Sequence, residues 1–431
     1  MDRIAKEWKR IRSSALARNA GWIFLGQGLS IACQGLYFIL LARLLGSTEY
    51  GIYAGTFAMV AILSSYSALG SSFTLLHHVS PDAQKFAPYW GNVLVTTFAL
   101  GSLFVGILVW TVPHVAHSYS WRLVLCAAVA DCICGQLADA SSRVFQAFQK
   151  MRITAFLSSS ANLLRALLAG LMLWSVHHAT AQQWVMAALA VSFLVACSAL
   201  VLVTRHFGKP AFSFDLLRRR TGEGFVFALS SSTMGIYNNI DKAMLGHYGM
   251  NAANGIYTMA YRVVDICTVP VTSIHAAAFP RFFCKGVSGV RNTTAYALQI
   301  LKRTGPLALL FSVLMAITAP AIPCLVGKSF SESVLALRWL CLLPVFRSFQ
   351  LSAGDALTGA GHQKFRLCSH AVAAAFNFAT NLYLIPHYGW LGAAWSSLAT
   401  DGLLGVSNWA VLLAVRSQAI NRVALSRLVE R

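Results

Sequence analysis

Residues Asn19–Tyr53 read NAGWIFLGQGLSIACQGLYFILLARLLGSTEYGIY. Between Gly21 and Leu45 there is no acid, and the only base is Arg43. A helix of about 25 residues is long enough to cross a bilayer core with some tilt. It is too long for the apolar region of a secretory signal, and no small-residue cleavage site follows it. Gln27, Ser30 and Gln34 fall at i, i+3 and i+7, on one face. A lipid-facing helix would not keep two amides on one stripe, so that stripe is expected to face a protein-lined or wet interior. Leu45–Tyr53 then makes a tight polar turn into a second apolar run. Much of the remaining chain repeats this unit.

Composition agrees. Of 431 residues, 57% are hydrophobic and only 11% charged, against roughly 25% charged in a soluble protein. The net charge of +20 does not indicate nucleic acid, because the bases sit in short loops between apolar runs and not with aromatics on one domain. The ten cysteines contain no CxxC pair and lie mostly inside apolar runs, as small hydrophobes. Neither a disulfide framework nor a zinc site is expected.

Ile4, Trp8, Ile11 and Ala15 give residues 1–19 an apolar face beside Arg and Lys, the pattern of an interfacial helix on an anionic leaflet. A merely basic tail is the alternative, with the same orientation. Candidate spans follow at 21–45, 52–76, 89–113, 122–148, 153–176, 183–204, 225–247, 255–280, 304–326, 333–358, 367–386 and 390–415. Eleven or thirteen are the neighbouring counts. Most of the 34 Lys and Arg lie on the side shared with the N-terminus, and the opposite loops hold only Lys328. That bias makes both termini cytoplasmic. The basic stretch 205–224 separates a bundle at 20–204 from a second at 225–415, with a basic tail at 416–431.

The halves resemble each other. Leu45-Gly46 with Gly51-Ile52-Tyr53 recurs as Leu245-Gly246 with Gly255-Ile256-Tyr257, and Gln149-Lys150-Met151-Arg152 recurs as Gln363-Lys364-Phe365-Arg366. The matches fall at equivalent turns. Six spans per half make the repeat parallel, with its pseudo-twofold axis along the membrane normal. In transporters built this way the substrate path lies between the halves.

Charged groups at membrane depth are expensive and usually face the interior. Asp139 and Arg143, and likewise Arg262 and Asp265, are spaced to pair on one helix. Arg165 and Arg347 have no acid within a turn. Asp241 and Lys242 are adjacent and expected to diverge. The candidate anion-binding cations are Arg143, Arg165, Lys242, Arg262 and Arg347, since guanidinium presents phosphate with a planar fork. Gln27, Gln34, Asn377 and Asn381 are candidates for a sugar. Asp131 and Asp401, with no base within a turn, are candidates for proton or sodium coupling, a partner on a neighbouring helix being the alternative. His77-His78 and His177-His178 lack a third ligand nearby, so no metal is expected. There is no Ser/His/Asp arrangement, Walker loop or Rossmann glycine pattern, and no cofactor is expected.

Asn19-Ala20-Gly21-Trp22, Gly26-Gln27, Leu41-Ala42-Arg43-Leu44-Leu45-Gly46 and Tyr50-Gly51-Ile52-Tyr53-Ala54 together resemble the opening of bacterial polysaccharide exporters, the O-antigen and capsule repeat-unit flippases. Asp241-Lys242, Leu245-Gly246 and Gly255-Ile256-Tyr257 are similar to the start of their second half. The resemblance implies an all-α integral membrane protein with twelve transmembrane helices in two six-helix bundles, V-shaped around a central cavity, in the inner membrane. It implies transfer of an undecaprenyl-pyrophosphate-linked oligosaccharide to the periplasmic leaflet, alongside a polymerase and glycosyltransferases of the same pathway. The same superfamily includes cation-coupled multidrug exporters, the rival reading. That reading expects an acid-lined cavity, which the excess of bases in the spans disfavours. An enzymatic polymerase or ligase would need a longer periplasmic loop.

Overall fold

In the computed structural model the chain is helical nearly throughout, with no strand among the described residues. The structure describes residues 2–116, 118–176, 178–287 and 289–429, with side chains for all of these except 2–27, 230–231, 233–234 and 419–429. The helices are α1 (Asp2–Ser67), α2 (Ser71–Val79), α3 (Phe86–Val115), α4 (Trp121–Ala128), α5 (Gln136–Ala147), α6 (Met151–Val176), α7 (Ala181–Phe207) and α8 (Phe214–His247). They continue as α9 (Asn251–Val287), α10 (Val290–Thr318), α11 (Ile322–Val326), α12 (Ser333–Leu340), α13 (Leu343–Gly359), α14 (Gln363–Tyr388) and α15 (Trp390–Val429). A π-helical segment, Val129–Gly135, joins α4 to α5.

Among the described residues, nine helical stretches are long and apolar enough to cross a membrane. The first expected span and most of the second share α1, which breaks at Gly46 (φ 70, ψ 176), and the second runs on past Ser67 through a turn into α2. That backbone lies outside the usual range of L-residues, and glycine adopts it without steric cost. The expected spans at 225–247 and 367–386 fall within α8 and α14, which are helical but more polar than the nine. The chain therefore reads as a multi-pass membrane protein. Large apolar side chains on the long helices stay accessible, among them Trp110 (71%), Trp174 (79%) and Ile317 (70%). In water such faces would be a liability; against lipid tails they are at rest. The side chains of 1–19, expected to form an interfacial face, lie outside the described residues.

Polar residues set the helix ends. Thr180 and Gln183 form a reciprocal capping box at the start of α7, Ser120 accepts from Leu123 N–H to start α4, and Ser213 accepts from Leu216 N–H to start α8. Each satisfies a backbone donor that the first helical turn leaves open.

The chain forms two compact units, Met1–Asn251 and Ala252–Arg431. The first has a core of Leu75, Trp90, Val93, Val144, Phe145 and Val203. Helix α8 belongs to this unit. Phe227 stacks on Phe73, and Ser232 Oγ lies 2.5 Å from Tyr66 Oη. Gly70 (φ 66) and Gly224 pass so closely that a Cβ on Gly70 would stand 2.1 Å from the Gly224 carbonyl oxygen. The basic stretch 205–224 is ordered on this unit: Ala211 N–H donates to Ala87 O and Ser213 N–H to Asn92 Oδ1. The second unit packs around Phe282, Ile300, Ala353, Leu357, Trp409 and Leu412.

Candidate functional site

Each unit holds its own polar cluster at membrane depth. In the first, the π-helical segment carries Asp131. A π turn shifts the register of side chains along a helix and is frequent at functional sites. Ser64 on α1 and the Arg165 charge on α6 both act on this carboxylate. No carboxylate is ion-paired with Arg165 among the described residues, and its one protein hydrogen bond there is long, Nη2 to Ser192 Oγ at 3.4 Å. Tyr37, buried on α1, shares a 2.8 Å hydrogen bond with Tyr53 and also feels Arg165. Asn162, one turn before Arg165, donates to Ser30 Oγ at 2.9 Å, so the expected α1 stripe does meet a protein neighbour. Gln34 is half-buried, and Gln27 lies outside the described residues.

The second cluster gathers Arg347 of α13, Asp265 and Tyr261 of α9 and Asp401 of α15. Arg347 Nη1 lies 3.0 Å from Asp265 Oδ1, Nη2 donates to Tyr261 Oη at 3.1 Å, and Nε lies 3.9 Å from Asp401 Oδ2. Arg347 and Asp401, which have no countercharge within a turn on their own helices, meet across helices, the alternative already open for Asp401. Their partners are on neighbouring helices, which spacing along one helix cannot reveal.

The remaining candidates divide. Arg143 pairs with Asp139 at 2.8 Å as its spacing implies, and it also lies over the Phe73 ring. Lys242 and Asp241 do not diverge: both are buried, Nζ lies 3.5 Å from Oδ1, and Nζ also donates to Asn238 O. Adjacent residues point about 100° apart on a helix, but the four-carbon lysine stem bends back across that angle. Arg262 is half-buried on α9. Asn377 and Asn381 are 3% and 0% exposed. Asn377 Nδ2 donates to Thr400 Oγ1 and Ser396 Oγ, and Asn381 Nδ2 donates to Asn377 Oδ1. Asn377 joins α14 to α15, as polar side chains do between membrane helices, Asn381 bonds to it within α14, and neither lines an open surface.

A third group went unread in the sequence. His275 Nδ1 donates to Asp355 Oδ2 at 3.0 Å, and Arg366 Nη1 donates to Asp355 Oδ1 at 3.2 Å and to Thr358 Oγ1 at 3.0 Å. An ionised carboxylate only accepts, so Nδ1 carries the proton. The other ring nitrogen, Nε2, is buried with no hydrogen-bond partner among the described residues. Three helices contribute, and no local spacing links them. The one signal was Arg366 in the repeated Gln-Lys-x-Arg motif.

Comparison with known proteins follows these features. The profile of the family described as polysaccharide biosynthesis protein matches residues 16–284. The chain is 23% identical over 354 residues to the succinoglycan biosynthesis transport protein ExoT of Rhizobium meliloti (strain 1021), covering 80% of this chain and 67% of that protein. Its fold is similar to the inward-facing conformation of a multidrug resistance MATE family transporter of the MOP superfamily, with TM-score 0.69, 14% identity and coverage of 92% and 99% of the two chains. It is also similar to a MOP superfamily transporter from Pyrococcus furiosus Vc1 (DSM3638), described by the reverse polarity of its binding pocket, with TM-score 0.65, 13% identity and coverage of 94% and 95%.

Proposed function

Because the chain belongs to the polysaccharide biosynthesis protein family, we propose that it is a flippase, one that carries an undecaprenyl-pyrophosphate-linked oligosaccharide from the cytoplasmic to the periplasmic leaflet of a bacterial inner membrane. Transport names and a MOP-type transporter fold among its relatives support a transporter over an enzyme. Twelve spans with both termini cytoplasmic are part of this reading. The polar head would pass by alternating exposure to the two faces while the polyprenyl tail stays in lipid.

The observation that carries the phosphate assignment is Arg165. It is the candidate arginine whose fork keeps donors uncommitted, with no ion-paired carboxylate among the described residues. Arg347, held by Asp265 and Asp401, is a structural cation in this reading. Charge-assisted hydrogen bonds contribute about 1.5–3 kcal/mol, roughly tenfold to a hundredfold in a rate that depends on them. In a deletion strain complemented by the full chain, Arg165→Ala is expected to reduce surface polysaccharide by that factor. Arg165→Lys should rescue only in part, because an ammonium lacks the fork. Wild-type levels from Arg165→Ala at equal protein abundance would remove the assignment.

Two acids against one arginine at Asp265, Asp401 and Arg347 favour the rival reading, export of cationic drugs. It expects a deletion strain with altered drug susceptibility and unchanged polysaccharide.

A further inference from the structure

His77 and His78 close α2, and in sequence they have no third ligand. The fold supplies one from 145 residues away. Glu223, near the start of α8, brings Oε2 to 3.0 Å from His78 Nε2. One ligand atom from each of His77, His78 and Glu223 lies within 4.8 Å of the others. We propose that these three side chains form a binding site for a divalent transition metal of the zinc type, joining the end of α2 to α8.

Three observations support it. The donor set, two imidazoles and one carboxylate, suits zinc, cobalt or nickel, whereas magnesium and calcium prefer all-oxygen sites. Two vicinal histidines on a helix ordinarily diverge, yet these rings lie 4.8 Å apart between centroids, and His78 is held by stacking on Tyr89 at 5.3 Å. The backbones behind them are locked by the close passage of Gly70 and Gly224, so the two helices hold the ligands at a set spacing before metal arrives.

The charged neighbour is Arg220, with Nη1 3.3 Å from Glu223 Oε2. Metal would take over the carboxylate from that guanidinium and from His78 N–H. Three protein ligands leave a fourth position for water or an incoming group. His77 is exposed, which opens the site to solvent. An occupied site fastens the first turns of α8 to α2 and so ties down the last helix of the first unit.

The test uses the full chain purified in detergent, stripped with EDTA, with exposed thiols such as Cys284, Cys324 and Cys368 blocked by N-ethylmaleimide. Cobalt(II) is titrated and followed by its visible absorption, then displaced by zinc. One saturable, zinc-displaceable cobalt per chain is expected, with affinity reduced at least about tenfold by loss of any one ligand in His77→Ala, His78→Ala or Glu223→Gln. Absence of saturable binding, or equal binding by wild type and all three variants, overturns the site. His77→Ala removes an exposed ring, so it keeps the test open if a buried variant fails to fold. None of these readings depends on what the protein transports.

Discussion

Replacing Arg347 with alanine is expected to destabilise the second unit, whatever it does to transport. The side chain is 17% exposed and serves three partners at once. Asp401 decides the size of the effect, because its side chain is 1% exposed. At 3.9 Å and an effective dielectric of about 20, a unit-charge pair interacts by roughly 4 kcal/mol. Removing one member of a buried pair typically costs about 3–5 kcal/mol, because the other charge stays behind. Asp265 is 43% exposed, so its share is small, about 0–1 kcal/mol. The Tyr261 hydrogen bond contributes about 1 kcal/mol. A loss of about 4–7 kcal/mol is therefore expected for Arg347→Ala, measured by thermal or denaturant unfolding of the purified chain in detergent. Arg347→Ala/Asp401→Asn removes the buried carboxylate charge as well and should recover more than half of that loss. An Arg347→Ala protein that unfolds like wild type would refute the structural role and return Arg347 to the list of substrate ligands. A double variant no better than the single one would show that Asp401 is not what the guanidinium neutralises.

Other outcomes follow from named contacts. Gly70→Ala combines a left-handed backbone with a Cβ driven into Gly224 O and should abolish accumulation of folded protein. Gly208→Ala, at φ +95 with nothing within 4 Å, should cost only backbone strain of about 1–3 kcal/mol, read by the same unfolding assay. Asn377→Ala should cost about 1–3 kcal/mol by leaving buried partners unpaired, while surface polysaccharide per folded molecule in the complemented strain stays near wild type. Glu223 titrates below the ordinary glutamate value of 4.5. Its stabilising contribution is therefore complete above that value and lost as pH falls through the lowered one. Melting temperatures of wild type and Glu223→Gln should differ at pH 7 and converge in acid.

How far the chain could be read without coordinates depends on the distance over which each feature is built. Helix positions follow from runs of apolar residues, a local property, and the expected spans fall on helices, although a turn at 68–70 interrupts 52–76 and one at 341–342 interrupts 333–358. The pair Asp139–Arg143 was legible for the same reason, as one turn of one helix contains it. Arg347 with Asp401, His275 with Asp355, and His78 with Glu223 join residues far apart in the chain. Their geometry is a property of packing, and no spacing rule reaches it. Asn377 and Asn381 differ in kind. Two amides on one helix face signal that the face avoids lipid, and here Asn377 meets α15 while Asn381 donates to Asn377 on its own helix.

The internal repeat shows where sequence likeness stops meaning physical likeness. Leu-Gly stands at both equivalent turns, yet the two glycines do different work. Gly46 is needed for its backbone, since φ 70 breaks α1. Gly246 lies within α8, and the constraint on it is Tyr119, whose hydroxyl would stand 2.1 Å from an added Cβ; the left-handed residue of that turn is Gly249. Counting back from the two Gln-Lys-x-Arg motifs, Asp131 stands 18 residues before its glutamine and Arg347 stands 16 before its own, so the two lie about 200° apart round a helix, and they carry opposite charges. In the first unit an acid sits there and the cation comes from α6. In the second a cation sits there and the acids come from α9 and α15. The repeat therefore preserves helices and turns and not the placement or sign of the charges they carry. Arg165 in the first unit has no ion-paired carboxylate among the described residues, whereas Arg347 in the second ties α13 to α9 and α15.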